Sequence, residues 1–145
     1  MPDPLVLQIA DALIAKALAV GFRSSGLLTD VGKIWETEQN PPAAYLGDVG
    51  ERNEYKPTRR ITPAAGFYFY TIVKGVQAPT RTFYGLYRDL KNAIDNDPDL
   101  GGLCTEGVAQ LVGYQALNTA AAIAAHTHVA DVFIEVGYKH DRGAA

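Results

Sequence analysis

The stretch FYFYTIVKG, residues 67 to 75, leaves the chain the fewest choices. Its aromatic and β-branched residues favour an extended backbone. In a strand, Phe67, Phe69, Thr71 and Val73 fall on one face, and Tyr68, Tyr70, Ile72 and Lys74 on the other. Both faces are largely apolar or aromatic. Such a strand has to be covered on both sides, either by helices on one face and something else on the other, or by a partner subunit. The residues do not choose between these two.

Two amphipathic segments supply helices. At the N-terminus Asp3 and Pro4 are a start signal, an acceptor side chain at the cap followed by a fixed φ. Val6, Ile9, Ala10, Leu13, Ala17 and Val20 then recur at three- and four-residue spacing up to the stop at Gly21. The alanines of that stripe suit close packing on a sheet. The second segment is PTRTFYGLYRDLKNAIDND. It puts Phe83, Leu86, Tyr87, Leu90 and Ile94 on one stripe and leaves Arg88, Asp89, Lys91 and Asn92 outside. Pro98 helps to end it, because the residue before a proline is pushed out of the helical region.

Between and after these helices the pattern is extended. RSSG reads as a loop, VGKIWETE as a possible short strand, and NPP as a break before a strand in AAYLGDVG. The polar ERNEYKPTRR is a solvated loop or hairpin tip, with a small basic patch at Arg59 and Arg60 as the rival reading. A further strand is expected within GVAQLVGYQAL, and the last in ADVFIEVGYKH. There Val132, Ile134, Val136 and Tyr138 alternate with Phe133, Glu135, Gly137 and Lys139, as in a half-buried antiparallel strand. The alanines of NTAAAIAAHTHV favour a helix, but the segment reads equally well as the tip of a long hairpin. The expected fold is α+β, an antiparallel sheet of about four strands with helices packed on one face, in one domain over residues 1–145.

Bulk properties remove several function classes. A chain of 145 residues buries enough surface to stand without a metal or disulfide. With 13 basic and 16 acidic side chains the net charge is -3, and no lysine-rich block is present to neutralise phosphates, so sequence-specific nucleic-acid binding is not expected. Cys104 is the single cysteine. It forms no intramolecular disulfide or multi-cysteine zinc site and reads as a small buried thiol suited to a reducing compartment. Asp11 and Lys16 interrupt the apolar run from Leu5 to Val20, which argues against a signal peptide or a spanning helix. A soluble protein, cytoplasmic when made, is expected.

Two constellations raise the question of a metal. Counted from Asp95 as the first position, oxygen ligands stand at positions one, three, five and twelve: Asp95, Asp97, Asp99 and Glu106. A calcium loop needs glycine at the sixth position, where this chain has Leu100. Pro98 restricts the fourth, Gly102 replaces the usual aliphatic at the eighth, and no exiting helix follows. The acids therefore read as solubilising turn residues. His126 and His128 would point the same way on a strand, and His140 with Asp141 could complete a zinc set if the segments were neighbours. Scattered histidines of this kind are more often surface groups. No nucleophile elbow, phosphate loop, dinucleotide fingerprint or zinc-protease motif occurs, and Ser24 and Ser25, the only serines, lie far from every histidine in sequence. Trp35 reads as a packing residue. No catalytic, cofactor-binding or metal residue is assigned.

The order of elements and four local phrases resemble the tail terminator, or tail-completion, proteins of long-tailed bacteriophages. The phrases are the leading LVLQIADALIAKALA, the strand PPAAYLGDVGERNEY, the helix-to-turn LKNAIDNDPDLGGLC and the closing ADVFIEVGYKHDRGAA. The likeness spans most of the chain and is weakest over residues 115–129. It implies an α+β subunit that closes into a ring, typically a hexamer, on the end of the tail tube. There it stops tube polymerisation and joins the tail to the head connector, and DNA passes through the lumen only as cargo. The partners it implies are further copies of the chain, the tail tube protein and the head–tail connector protein, with no membrane and no cofactor. The location it implies is the tail neck of the virion, after assembly in the host cytoplasm. The expected function is thus structural. A neighbouring connector or minor tail protein is the first alternative, and a small metal-binding or catalytic α+β protein the second.

Overall fold

In a computed structural model, residues 5–32, 34–55, 60–75, 77–104, 108–137 and 140–141 are described, with backbone alone for 50–55, 60–65 and 140–141. The chain runs α1 (Leu5–Val20), β1 (Ser24–Leu27), α2 (Leu28–Val31), β2 (Ala43–Tyr55) and β3 (Arg60–Lys74). It continues through α3 (Pro79–Asp95), β4 (Ala109–Ala116), α4 (Ala120–Ala124), β5 (Thr127–Gly137) and β6 (His140–Asp141). The fold is α+β. Strand order across the sheet is β1-β2-β3-β5-β4, with the two-residue β6 pairing to the start of β3.

The sheet has more strands than the four expected, and it is mixed. β1 runs parallel to β2, pairing Ser24 with Ala43 and Leu27 with Leu46, whereas every other pairing is antiparallel. RSSG, read as a loop, contributes to this edge strand. Its serines and glycine are poor strand formers, and pairing to the apolar start of β2 overrides their local preference. VGKIWETE is not a strand. Its first residue ends α2 and residues 35–37 form a turn, with Lys33 outside the described residues. A backbone bond from Glu38 N–H to the Ile34 carbonyl, at 3.1 Å, closes that turn.

The two-sided strand is the middle of β3. Phe67, Phe69 and Val73 are buried in one cluster with Ile9, Leu13 and Ala17 of α1 and Phe83, Leu90 and Ile94 of α3. The helical stripes of the sequence are therefore the faces that meet the sheet. On the opposite face Ile72 is buried with Ala43 and Tyr45, beneath Leu28, Val31 and Trp35. The second cover over this end comes from the chain's own α2 and the following turn, and Trp35 packs there as expected.

β2 and β3 form a hairpin longer than the sequence suggests. They pair from Ala43↔Ile72 out to Tyr55↔Ile61, so the first half of ERNEYKPTRR, Glu51 to Tyr55, is paired strand. Only residues 56–59, including Arg59, lie outside the described residues, and Arg60 opens β3. β3 has 15 residues and α1 has 16, which correspond to about 50 Å and about 24 Å. Neither long helix can cover β3 along its whole length.

NTAAAIAAHTHV divides between its two readings. Thr119 caps one short helix, α4, by accepting from the Ala122 N–H at 3.2 Å, and β5 begins at Thr127, three residues earlier than ADVFIEVGYKH suggested. The closing strand buries Val132, Ile134 and Val136 and exposes Glu135 as expected, while Tyr138 and Lys139 lie outside the described residues. The cap reading of Asp3 and Pro4 lies outside them too.

Candidate functional site

The acidic loop is the first place to look for chemistry, and two of its carboxylates, Asp95 and Asp97, are already engaged. Asp95 accepts from Lys91 Nζ at 3.0 Å, one turn back on α3. Asp97 accepts from Lys16 Nζ at 2.9 Å and from the Gly101 N–H at 3.0 Å. Those two donors, the lysine first, hold its carboxyl below the ordinary carboxylate range. Asp97 is thus a tie between α1 and the end of α3, and reading it as a mere solubilising residue is corrected. The turn is closed by the Asp99 carbonyl, which accepts from Gly102 N–H at 3.1 Å and Cys104 N–H at 2.9 Å.

Leu100, at the position where a calcium loop needs glycine, does adopt a left-handed backbone, with φ 50, followed by Gly101 at φ 70 and Gly102 at φ 96. A leucine accepts that conformation because its side chain is 3% exposed and sits in the core with Ile94 and Cys104. The loop is organised around a buried side chain. Glu106, the twelfth position, is outside the described residues. Among the described residues no three His, Cys, Asp or Glu side chains are placed to hold a metal ion.

The histidines separate as well. His126 precedes β5 in a left-handed turn, φ 51, and is exposed, so it shares no strand face with His128. His128 is 4% exposed and stacks on Phe83 with ring centroids 4.4 Å apart, Tyr84 and Tyr114 completing an aromatic cluster beside it. Its Nδ1 is buried without a partner, and burial lowers its pKa. The backbones of His140 and Asp141 pair with Ile61 and Arg60. Cys104 is buried as expected, and burial pushes its thiol up to about 11.

The face opposite α1 and α3 carries the least expected polar arrangement. Glu38 is 3% exposed, and its carboxylate accepts from the Tyr45 hydroxyl and, at 2.9 Å, from the Asn40 N–H. Lys74 Nζ donates to the Glu38 carbonyl at 2.7 Å, and the Trp35 N–H donates to the Tyr70 hydroxyl at 3.2 Å. These bonds pin residues 34–40 across the strand ends. Burial, with Glu38 beside it, pushes the Tyr45 phenol up to about 12. Spacing alone gave no signal for this network, since Glu38 lies in a polar stretch.

Further along the same face, Tyr70, Asp131 and Gln115 are lateral neighbours on β3, β5 and β4, followed by Tyr68 and Phe133. Asp131 Oδ1 is buried without a partner, and desolvation raises the carboxyl's pKa. Tyr68 lies across Gly47, where a Cβ would come within 2.2 Å of the Tyr68 ring. On the helical side a cleft of about 360 Å³ opens between Val6, Leu7 and Ala10 of α1, Leu27, and Leu46 to Asp48 of β2.

Among the described residues these features are packing, pinning and unpaired sheet edges. The residues on the sheet edges and the second sheet face could not be recognised from motif spacing. No protein-family model matches the chain, and no curated protein matches it either. Among the described residues no helix is long and apolar enough to cross a membrane.

Proposed function

We propose that the chain is a structural subunit of a long-tailed phage virion, a tail terminator that closes into a ring on the end of the tail tube. The observation that carries this reading is the β2–β3 hairpin, whose 13- and 15-residue strands outrun both long helices. A paired arm of this length suits a subunit whose neighbours or tube complete its cover. Among the described residues the sheet also ends in two unpaired edges, β1 and β4, and a ring can satisfy such edges by a heterologous contact that closes. The resemblance of four sequence phrases to tail terminators points the same way.

In this reading the subunit works by surface complementarity. One side of the ring offers the tube a matching surface and the other does not, so addition of tube subunits stops. The ring then meets the head connector, and a net charge of -3 suits a lumen through which DNA slides without being gripped.

The test is assembly. Light scattering on the purified chain should show a closed oligomer, or a monomer that rings only when tail-tube protein is added, and electron microscopy should then show tubes ended by a ring. A chain that stays monomeric with and without tube protein overturns the proposal. A ring that binds connector and leaves tube growth unchanged favours the connector reading.

A further inference from the structure

From Gly107 to Ala125 the sequence carries no Asp, Glu, Lys or Arg, in a chain where those residues make up 20%. The described part of this segment is the edge strand β4 and the connection leading to β5. It is also where exposed apolar side chains concentrate. Val108 is 56% exposed, Val112 57%, Tyr114 39% and Ile123 63%, and Tyr84 of α3 joins the patch with its ring centroid 6.1 Å from that of Tyr114.

Edge strands of proteins that stay apart are protected by inward-pointing charge, lysine, proline or extreme shortness. β4 has eight residues and none of these. Its one protective feature is the bulge that leaves Val112 as an extra residue between Leu111 and Gly113. The Ala109 N–H at its start donates to the Pro98 carbonyl at 2.8 Å, and beyond it no strand pairs with the outer side among the described residues, so the rest of the edge offers backbone donors and acceptors flanked by uncharged side chains. Depletion of charge is one mark of an interface core, and Tyr114 with Tyr84 beside it supplies the aromatic part of the patch.

We infer that β4 pairs with the β1 edge of a second copy of this chain. Strand direction selects β1 as the mate. β1 is parallel to β2, and each later step across the sheet, to β3, β5 and β4, reverses direction, so β4 runs opposite to β1. A β1 edge laid beside β4 with both helical faces on the same side therefore pairs antiparallel. It continues the sheet from subunit to subunit without turning any copy over, which is what a cyclic ring requires. Charge agrees, since Ser24–Leu27 is uncharged as well. Pairing β4 to β4 across a two-fold axis would close a dimer and leave both β1 edges open. This inference rests on the ring reading and names the contact that builds the ring.

The test uses Val112→Lys with Tyr114→Lys in the full chain, two exposed positions on β4. The variant alone should run as a monomer that still shows a cooperative melting transition. If the double variant loses its melting transition, Val112→Lys alone carries the test, because Val112 has no mate across β5. Co-expressed with untagged parent, the tagged variant should still recover parent chains through its intact β1, as open oligomers below the mass of the ring. A variant that rings at the parent's mass overturns the β4 contact and leaves the ring reading standing. A variant that recovers no parent chain overturns β1 as the mate and points to the two-fold dimer. A parent chain that is monomeric even on tubes overturns the ring reading and this inference with it.

Discussion

Lys16 on α1 reaches Asp97 beyond the end of α3 at 2.9 Å, adding an ion pair to two helices whose apolar stripes share one core cluster. The lysine is 20% and the aspartate 36% exposed, so solvent screens the pair. Asp97→Asn is expected to lower stability by roughly 0.2–1 kcal/mol, or about 1–4 °C in melting temperature. The folded carboxyl titrates below its unfolded value. Its contribution is therefore complete above the unfolded pKa, near ~3.9, and is lost as pH falls through the depressed value. Thermal melts of parent and variant should differ at pH 7 and converge as pH falls through that depressed value. A gap that persists there would show that the tie is not electrostatic.

His128 gives the opposite end of the pH scale. Burial lowers its folded pKa below the unfolded value, so the folded state resists the proton that the unfolded state accepts. Its contribution is complete above about pH 6.5 and declines as pH falls below it, by at most about 1.4 kcal/mol per pH unit. His128→Phe keeps an aromatic ring beside Phe83. Between pH 7 and 5 its melting temperature should fall less than the parent's, as scanning calorimetry at each pH will show.

Asp131→Asn is expected to raise stability at pH 7. The carboxylate has one oxygen buried without a donor, and desolvation lifts its folded pKa. The folded state therefore loses stability as pH rises from the unfolded pKa to the raised one, and the amide removes that loss. A denaturant midpoint that drops in the variant would mean the carboxylate is satisfied in solution.

Leu100 tests the loop itself. Leu100→Ala should cost about 2–4 kcal/mol, because it empties a buried site. Millimolar calcium should leave the parent's melting temperature where it is. A calcium-dependent rise that disappears in Asp97→Asn with Asp99→Asn would restore a cation-binding role to this turn.

Cys104 should be silent in the folded protein. Burial lifts its thiol to about 11, so a thiol-reactive dye at pH 8 should label the denatured chain and leave the native one unlabelled. Fast native labelling would place the turn after α3 in an open conformation.

The two long helices and most strands were legible because their apolar residues repeat at 3.6 or 2, whereas the four-residue α2 gave no such period. Phe83, Leu90 and Ile94 meet Phe69 and Val132 by that pattern alone. β1 was hidden because Ser24, Ser25 and Gly26 have no strand preference of their own, and it exists only through its partner β2. The length of the β2–β3 arm was hidden for a related reason. Polar residues such as Glu51 and Arg52 read as loop by composition, yet their backbones pair with Ala65 and Ala64. The loop acids were visible as acids, but nothing local announced that Lys16 would reach Asp97 from another helix.

The sheet is two local hairpins joined along one distant seam. β2 with β3 and β4 with β5 close within their own sequence, while the seam is marked by the Thr71 hydroxyl donating to the Ala130 carbonyl at 2.7 Å across 59 residues. On a ribosome adding about 5–20 residues per second, β3 waits roughly 3–12 s for the strand that completes it. Through that interval its aromatic flank is open to whatever else is nearby. The chain's point of greatest risk thus falls during its own synthesis, before any native contact with β5 exists.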